Sequence, residues 1–134
     1  MSHHFGRPLA YLGYGGQGKQ VRDFLHVADL CGLLLEQVEH FDAWDGWVGN
    51  VAGGVENSAS LLELTNLCRE ITGNSVPLER VPANRPNDLR LFIGDCARLH
   101  QRTPWRPRRP VRDILSDTAR WVAQNETALS TLNA

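Results

Sequence analysis

Residues 13–30, which read GYGGQGKQVRDFLHVADL, constrain the fold of this 134-residue chain more than any other stretch. The glycines admit backbone conformations that other residues avoid, so the chain can turn sharply and present the following Gln-Val-Arg-Asp segment to a ligand. Apolar residues at helical spacing come next, and they predict a helix that begins at Asp23 or His26. We therefore predict a binding site that contains Arg22, held between a tight turn and a helix.

The same glycines allow a second interpretation. Gly13, Gly15 and Gly18 satisfy the G-x-G-x-x-G pattern of dinucleotide-binding folds, in which a strand precedes the turn and a helix begins directly after it. Residues 8–12 are able to form that strand. However, the next predicted strand, residues 47–52, runs into two glycines and lacks the acidic residue that would bind a ribose. We therefore do not assign the turn to a cofactor, and a purely structural glycine turn is the alternative.

Composition narrows the class of protein. The 42% hydrophobic and 22% charged residues are typical of a globular domain, and the length fits one domain, residues 1–134, or half of a larger one. No apolar run reaches the ~18 residues of a membrane span, and the N-terminus does not resemble a signal peptide. These features predict a cytoplasmic protein without a membrane partner. The net charge of −1 argues against nucleic acid as a partner.

The spacing of apolar residues and turn signals predicts a mixed fold of helices and few short strands. Helices are predicted from Asp23 or His26 to about residue 40, from a Ser60–Glu63 capping box to Gly73, over residues 96–103, and over residues 111–125. Strands are predicted over residues 47–52, 76–81 and 89–93, with a loop over residues 82–88 and frayed termini. The class is α/β or α+β. Because so few strands give a thin core, we expect an oligomer or a partner domain.

Arg22 and Arg85 are the candidate ligand-binding residues. Each stands in or beside a glycine or proline loop and is followed closely by an acid, Asp23 or Asp88. An arginine in a rigid loop can clamp a diphosphate, and Asp88 can accept a hydrogen bond from a ribose hydroxyl. Ordinary surface salt bridges are the alternative. All but one of the 14 basic residues are arginine, which fits phosphate binding and fits a compositional bias equally well.

Other chemistry is not indicated. The C-terminal arginines predict a solvated face, since no aromatic platform for nucleic acid accompanies them. The histidines lack the spacing of metal ligands, and His26 is predicted to be structural. The three cysteines, Cys31, Cys68 and Cys96, are odd in number and far apart, which predicts small buried residues rather than disulfides or a metal site.

Three motifs occur in a specific order: GYGGQGKQVRDFLHVADL, WVGNVAGGVENSASLLEL and RPNDLRLFIGDCARLHQRTPWRPRR. In this order they resemble the C-terminal half of the extended short-chain dehydrogenase/reductase family, the NAD-dependent sugar-nucleotide epimerases and dehydratases. The resemblance covers about residues 5–125, and the G-K-Q-V-R-D and N-S-x-S-L-L-E-L segments are most similar to the CDP-paratose (CDP-tyvelose) 2-epimerase branch.

The resemblance implies a substrate-binding part of a Rossmann-type enzyme. By that similarity Arg22 and Arg85 bind the nucleotide diphosphate, Asp88 approaches the ribose, and Gln20 and Val21 line the pocket. The implied ligand is a CDP- or UDP-linked sugar. The implied partner is a Rossmann-domain polypeptide or a second copy of the chain.

The departures from the family are equally specific. The family binds NAD at an N-terminal glycine-rich turn and uses a Tyr-x-x-x-Lys pair for proton transfer. Here Tyr11 and Tyr14 are each followed four residues later by glycine, and Lys19 is the only lysine. The resemblance therefore implies no catalytic residue, no metal and no cofactor bound by this chain alone. We expect a binding part that is inactive by itself; the alternative is a non-catalytic assembly module.

Overall fold

Two small sheets contain the strands of residues 1–131, the part of the chain that this computed structural model describes. The strands are β1 (Leu9–Leu12), β2 (Val21–Asp23), β3 (Ser58–Ser60), β4 (Leu78–Val81) and β5 (Leu91–Phe92). The helices of that part are α1 (Ser2–Phe5), α2 (Val27–Glu39), α3 (Phe41–Trp44), α4 (Leu61–Thr72), α5 (Ala97–Arg102), α6 (Val111–Gln124) and α7 (Glu126–Thr131). The predicted mixed class is confirmed.

Strand β2 is the centre of the three-stranded sheet. It pairs antiparallel with β3, where Arg22 lies opposite Ala59, and parallel with β5, where Arg22 lies opposite Phe92. The second sheet has two parallel strands, β1 and β4, with Leu9 opposite Leu78. The predicted strands over residues 76–81 and 89–93 are both present, although each is shorter than expected.

The glycine turn leads into a strand rather than a helix. Tyr14–Gly16 form a short 3-10 helix, and the chain then enters β2. Gly16 and Gly18 have positive φ angles of 64° and 66°. A Cβ on Gly18 would lie 2.7 Å from the ring of Tyr11, so the turn packs too closely for a side chain at this position. The dinucleotide interpretation fails here because its pattern requires a helix directly after the turn.

Helix α2 begins directly after His26, which is one of the two predicted starting residues. His26 is its N-cap: the Nδ1 atom accepts a hydrogen bond from the amide of Ala28 at 3.0 Å. The Nε2 atom lies 3.1 Å from the carboxylate of Asp117 on α6. The hydrogen bond from His26, with help from Arg120, lowers the pKa of Asp117. His26 is therefore a structural histidine, as predicted, and Asp23 lies in β2 instead of capping the helix.

Helix α4 has both predicted caps. The Ser60 hydroxyl accepts from the amide of Glu63 at 3.2 Å, and the Glu63 carboxylate accepts from the amide of Ser60 at 2.7 Å. The hydrogen bonds from Ser60 lower the pKa of Glu63. Gly73 ends the helix in the left-handed conformation, with φ 71°. Capping is a local interaction, which is why the sequence predicts it well.

Residues 47–52 are not a strand, so that prediction is wrong. Within residues 1–131 no strand pairs with this segment. Side chains hold it instead: the Asn50 amide donates to the carbonyl of Asp95 at 3.2 Å, and the Cys96 thiol lies 3.8 Å from the carbonyl of Ala52. The apolar pattern of the segment comes from packing on the core. That core consists of Leu33, Cys96 and Leu99, surrounded by the partly buried Trp44, Trp47, Val51, Ala52 and Trp105.

Two further expectations differ from the structure, and one helix was not expected. Cys31 is exposed on α2, although Cys68 is partly buried and Cys96 is buried; all three are free thiols. Residues 126–131 form α7 where a frayed end was expected, and residues 132–134 lie outside the described part. Helix α1 was also not predicted. None of the helices in the described part has the length and apolar character that crossing a membrane requires.

One face of α2 is apolar and exposed. It carries side chains spaced three, four or seven residues apart, so they share one side of the helix: Val27, Cys31, Leu34, Leu35 and Val38. Val27 is 68% exposed and Val38 is 72% exposed. We call these five residues the α2 stripe. Nothing in residues 1–131 covers it, consistent with the small core expected from the sequence.

Candidate functional site

A cavity of about 480 Å³ lies between the three-stranded sheet, the start of α4 and the loop of residues 82–88. That volume is within the range of small-molecule sites. Four of the five predicted site residues line it: Gln20, Arg22, Arg85 and Asp88. Apolar side chains, including Leu12, Phe24 and Leu61, form much of the remaining wall. The structure therefore brings together residues that are more than 60 positions apart in the sequence.

Val21 is the predicted residue that does not line this cavity. Successive side chains of a strand point to opposite faces, so Gln20, Arg22 and Phe24 share one face while Val21 lies on the other. The backbone of Val21 has a supporting role. Its amide donates to the carbonyl of Arg90 at 2.9 Å, and its carbonyl accepts from the Arg22 guanidinium at 2.8 Å.

Arg22 is held in place by two contacts. Its Nη1 atom donates to the carbonyl of Val21, and its Nη2 atom lies 3.1 Å from the Asp88 carboxylate. The Arg22 side chain is 36% exposed and that of Asp88 is 23% exposed, so the ion pair is accessible from the cavity. In this arrangement Arg22 is fixed by its surroundings and still able to meet an anion.

Arg85 is exposed, and no hydrogen bond or ion pair of its side chain occurs within residues 1–131. Its loop is nevertheless anchored. The amide of Tyr14 donates to the side-chain oxygen of Asn84 at 2.6 Å, and the hydroxyl of Tyr14 donates to the carbonyl of Asp88 at 2.5 Å. The glycine turn therefore holds the loop that carries Arg85 at both of its ends.

Tyr14 and Asn84 were not predicted as site residues. Tyr14 is the only aromatic residue within residues 13–18, and it has a positive φ of 48°. A bulky residue in that conformation is uncommon and suggests a local constraint. This isolated aromatic residue is the signal in the sequence that would have pointed to an anchoring contact.

The C-terminal arginines are mostly exposed, in agreement with the predicted solvated face, and Arg109 is half-buried. Arg109 forms an ion pair with Asp29 on α2, a carboxylate that is 3% exposed, and Arg112 pairs with Glu70. Arg106 donates to the carbonyls of Thr103 and Trp105. Of these three arginines, Arg109 connects the segment between α5 and α6 to α2.

Comparisons with known proteins find similar enzymes. A CDP-paratose 2-epimerase from Salmonella typhi is 30% identical over 108 residues, which cover 81% of this chain and 32% of that enzyme. A UDP-glucose 4-epimerase from Erwinia amylovora is 30% identical over 109 residues, with the same two coverages. Over most of its length the chain therefore resembles the extended short-chain dehydrogenases/reductases. It spans about a third of the length of these relatives, and no family model matches it.

A solved enzyme structure has the same fold. The crystal structure of the Bordetella bronchiseptica enzyme WbmF in complex with NAD+ and UDP matches 97% of this chain and 36% of its own length. The TM-score is 0.68 at 27% sequence identity. The resemblance proposed from the three motifs is therefore confirmed at the level of the family.

The glycine turn does not fit the cofactor of this family. A dinucleotide pyrophosphate binds at a helix N-terminus, where free amides and the helix dipole meet it. Here the turn leads into β2, so residues 13–18 present no helix N-terminus to a ligand.

Across residues 1–131, no group of three or more His, Cys, Asp or Glu side chains could hold a metal ion.

Proposed function

We propose that residues 1–134 form one substrate-binding domain, the C-terminal part of an NAD-dependent sugar-nucleotide epimerase or dehydratase. The ligand is a nucleotide sugar whose diphosphate is bound by Arg22 and Arg85. The observation that carries this proposal is that both arginines line one cavity. The named relatives act on CDP- and UDP-linked sugars, and WbmF was solved with UDP.

The contacts of the two arginines give them different roles in binding. Arg85 has no partner among the described side chains, so its guanidinium can meet a phosphate without breaking an existing contact. Arg22 must first exchange its ion pair with Asp88 for a phosphate. That exchange releases the Asp88 carboxylate, which then accepts a hydrogen bond from the ribose. The loop anchored by Tyr14 keeps both changes local.

Binding would occur without turnover. The 134 residues contain no Tyr-x-x-x-Lys pair, and the glycine turn does not fit NAD. We expect no epimerisation when the chain is incubated with NAD and CDP- or UDP-sugars, as measured by chromatography of the products. Robust product formation would contradict the proposed inactivity but would leave the binding proposal intact.

Arg22→Ala and Arg85→Ala should each weaken the binding of CDP and UDP. Loss of one charge-assisted hydrogen bond to phosphate costs about 1.5 to 3 kcal/mol, or about 10- to 150-fold in Kd. Isothermal titration calorimetry measures this directly. Comparison of CDP with UDP on the wild-type chain tests the CDP-paratose branch, for which we expect tighter binding of CDP.

Arg98→Ala is the matched control, since Arg98 is exposed on α5 and does not line the cavity. It removes the same charge from the chain and should change Kd less than twofold. Equal losses in all three variants would indicate a general effect of net charge and would contradict a specific diphosphate site.

A second candidate function is assembly, and the α2 stripe favours it. A continuous apolar face of this kind on a globular chain commonly marks an interface. In this case two copies of the chain associate through α2. Leu35→Lys, in the centre of the stripe, should then convert a concentration-dependent dimer to a monomer in sedimentation velocity experiments.

Val55→Lys is the control for the assembly experiment. Val55 is 75% exposed but lies outside the stripe, so this variant should leave the dimer intact. A wild-type chain that stays monomeric at high concentration would contradict self-assembly. Nucleotide titration separates the two candidate functions, because only the first requires Arg22 and Arg85.

A further inference from the structure

The side chain of Gln20 has an acceptor without a partner. Gln20 is 6% exposed and lines the cavity. Its Nε2 atom donates to the carbonyl of Leu12, while its Oε1 atom is buried and has no hydrogen-bond partner among the described residues. Buried polar atoms in folded proteins are nearly always paired, so this oxygen requires a donor from outside the described residues, either a water or a ligand.

The orientation of this amide is fixed by its surroundings. If the amide were turned over, Oε1 would face the carbonyl of Leu12, and two acceptors would meet. The backbone is fixed as well, because the carbonyl of Gln20 accepts from the amide of Leu61 at 3.1 Å. The unpaired oxygen is therefore held in a fixed position on a residue that lines the cavity.

The position of Gln20 relative to Arg22 indicates which part of a ligand it would meet. The two residues lie on one face of the strand, two positions apart, which places them roughly 7 Å from each other. A group covalently attached to a diphosphate on Arg22 can reach that distance. The apolar side chains of Leu12 and Leu61 are part of the same cavity wall and suit the faces of a planar ring.

We propose that Gln20 determines specificity for the nucleobase: its Oε1 atom accepts a hydrogen bond from an N–H group of a pyrimidine. This inference rests on the proposed diphosphate site. The donor is the exocyclic amine of cytosine or the ring N3–H of uracil, and both present the same chemistry to the acceptor. The ribose hydroxyl then donates a hydrogen bond to Asp88, whose carboxylate lies beside Arg22.

Gln20→Met tests the proposal because methionine has nearly the same size and no acceptor of comparable strength. Titration calorimetry on the full chain should show CDP and UDP binding weakened about tenfold, with inorganic pyrophosphate unchanged. Modified ligands distinguish the donors. N3-methyl-UDP should bind the wild-type chain about tenfold more weakly than UDP, and N4,N4-dimethyl-CDP should behave likewise against CDP. Neither methylation should add a further loss in Gln20→Met.

The outcomes are distinct. Equal weakening of pyrophosphate and nucleotides in Gln20→Met would make Gln20 a scaffold residue and overturn the proposal. Unchanged nucleotide binding would overturn it too. If the variant does not fold, the methylated ligands on the wild-type chain decide, since unaffected binding of both would refute a contact with the base. A wild-type chain that binds neither pyrophosphate nor nucleotide would instead contradict the diphosphate site itself.

Discussion

Replacement of Asp29 by alanine is expected to lower the free energy of unfolding by about 3 kcal/mol. The Asp29 carboxylate accepts from the amides of Arg108 and Arg109 at 2.9 and 3.0 Å, and it forms an ion pair with the Arg109 guanidinium. Removing it leaves two amides and a charge without their acceptor. Because the Arg109 side chain is 43% exposed, water compensates part of the loss, and we expect the lower end of the range for buried pairs.

Urea denaturation of the wild-type chain and Asp29→Ala at neutral pH measures this difference. Asp42→Ala is the control, because Asp42 is an acidic residue in the first turn of a helix but is exposed on α3. It should change the free energy of unfolding by less than about 0.5 kcal/mol. A loss below about 1 kcal/mol in Asp29→Ala would mean that the segment between α5 and α6 does not depend on this carboxylate.

Asp29 also makes the stability of the folded chain depend on pH in the acidic range. Burial acts to raise the pKa of Asp29, but the hydrogen bonds from Arg109 and Arg108 and the charge of Arg109 outweigh it, so the pKa lies below its usual value of 3.8. A lowered pKa contributes stability above the pKa of the unfolded chain, and that contribution disappears as the pH falls through the folded value. Stability should therefore decrease below about pH 4, and less steeply in Asp29→Asn.

Local signals in the sequence predicted the elements whose cause is local. The capping box of Ser60 and Glu63, the stop at Gly73 and the cap at His26 all depend on residues within four positions of each other. The same holds for the proline-rich loop over residues 82–88. Asp29 was missed because its partners lie about 80 residues away in the sequence, and no local pattern reveals such a contact.

The site could be predicted only in part for the same reason. Arg22 and Arg85 each stood out because of the loops beside them, but only the resemblance to a family linked them to one ligand. The contacts that make them one site are long-range: Tyr14 reaches the loop of Arg85 across 70 residues of sequence. Val21 was included because it is next to Arg22, yet the alternation of a strand turns it to the opposite face.

Gly53→Ala is expected to destabilise the chain by about 3 kcal/mol. Gly53 follows the segment that was wrongly predicted to be a strand, and it lies directly against the backbone of Phe24. A Cβ at this position would lie 1.9 Å from the carbonyl oxygen of Phe24, which is backbone and has little room to move. Phe24 lines the cavity immediately after β2, so the shift should also weaken nucleotide binding.

Gly32→Ala provides the opposite case. Gly32 is an exposed residue within α2, and a Cβ there would meet no atom within 4 Å. Because alanine favours the helix, this variant should be more stable than the wild-type chain by about 0.5 to 1 kcal/mol. Thermal and urea unfolding measure the stability of both variants. The two experiments compare the same glycine-to-alanine change at a crowded position, Gly53, and at an open one, Gly32. Gly53→Ala could instead prove as stable as the wild-type chain. In that case Gly53 does not pack against the backbone of Phe24, and the cavity wall beside Phe24 differs from the one described here.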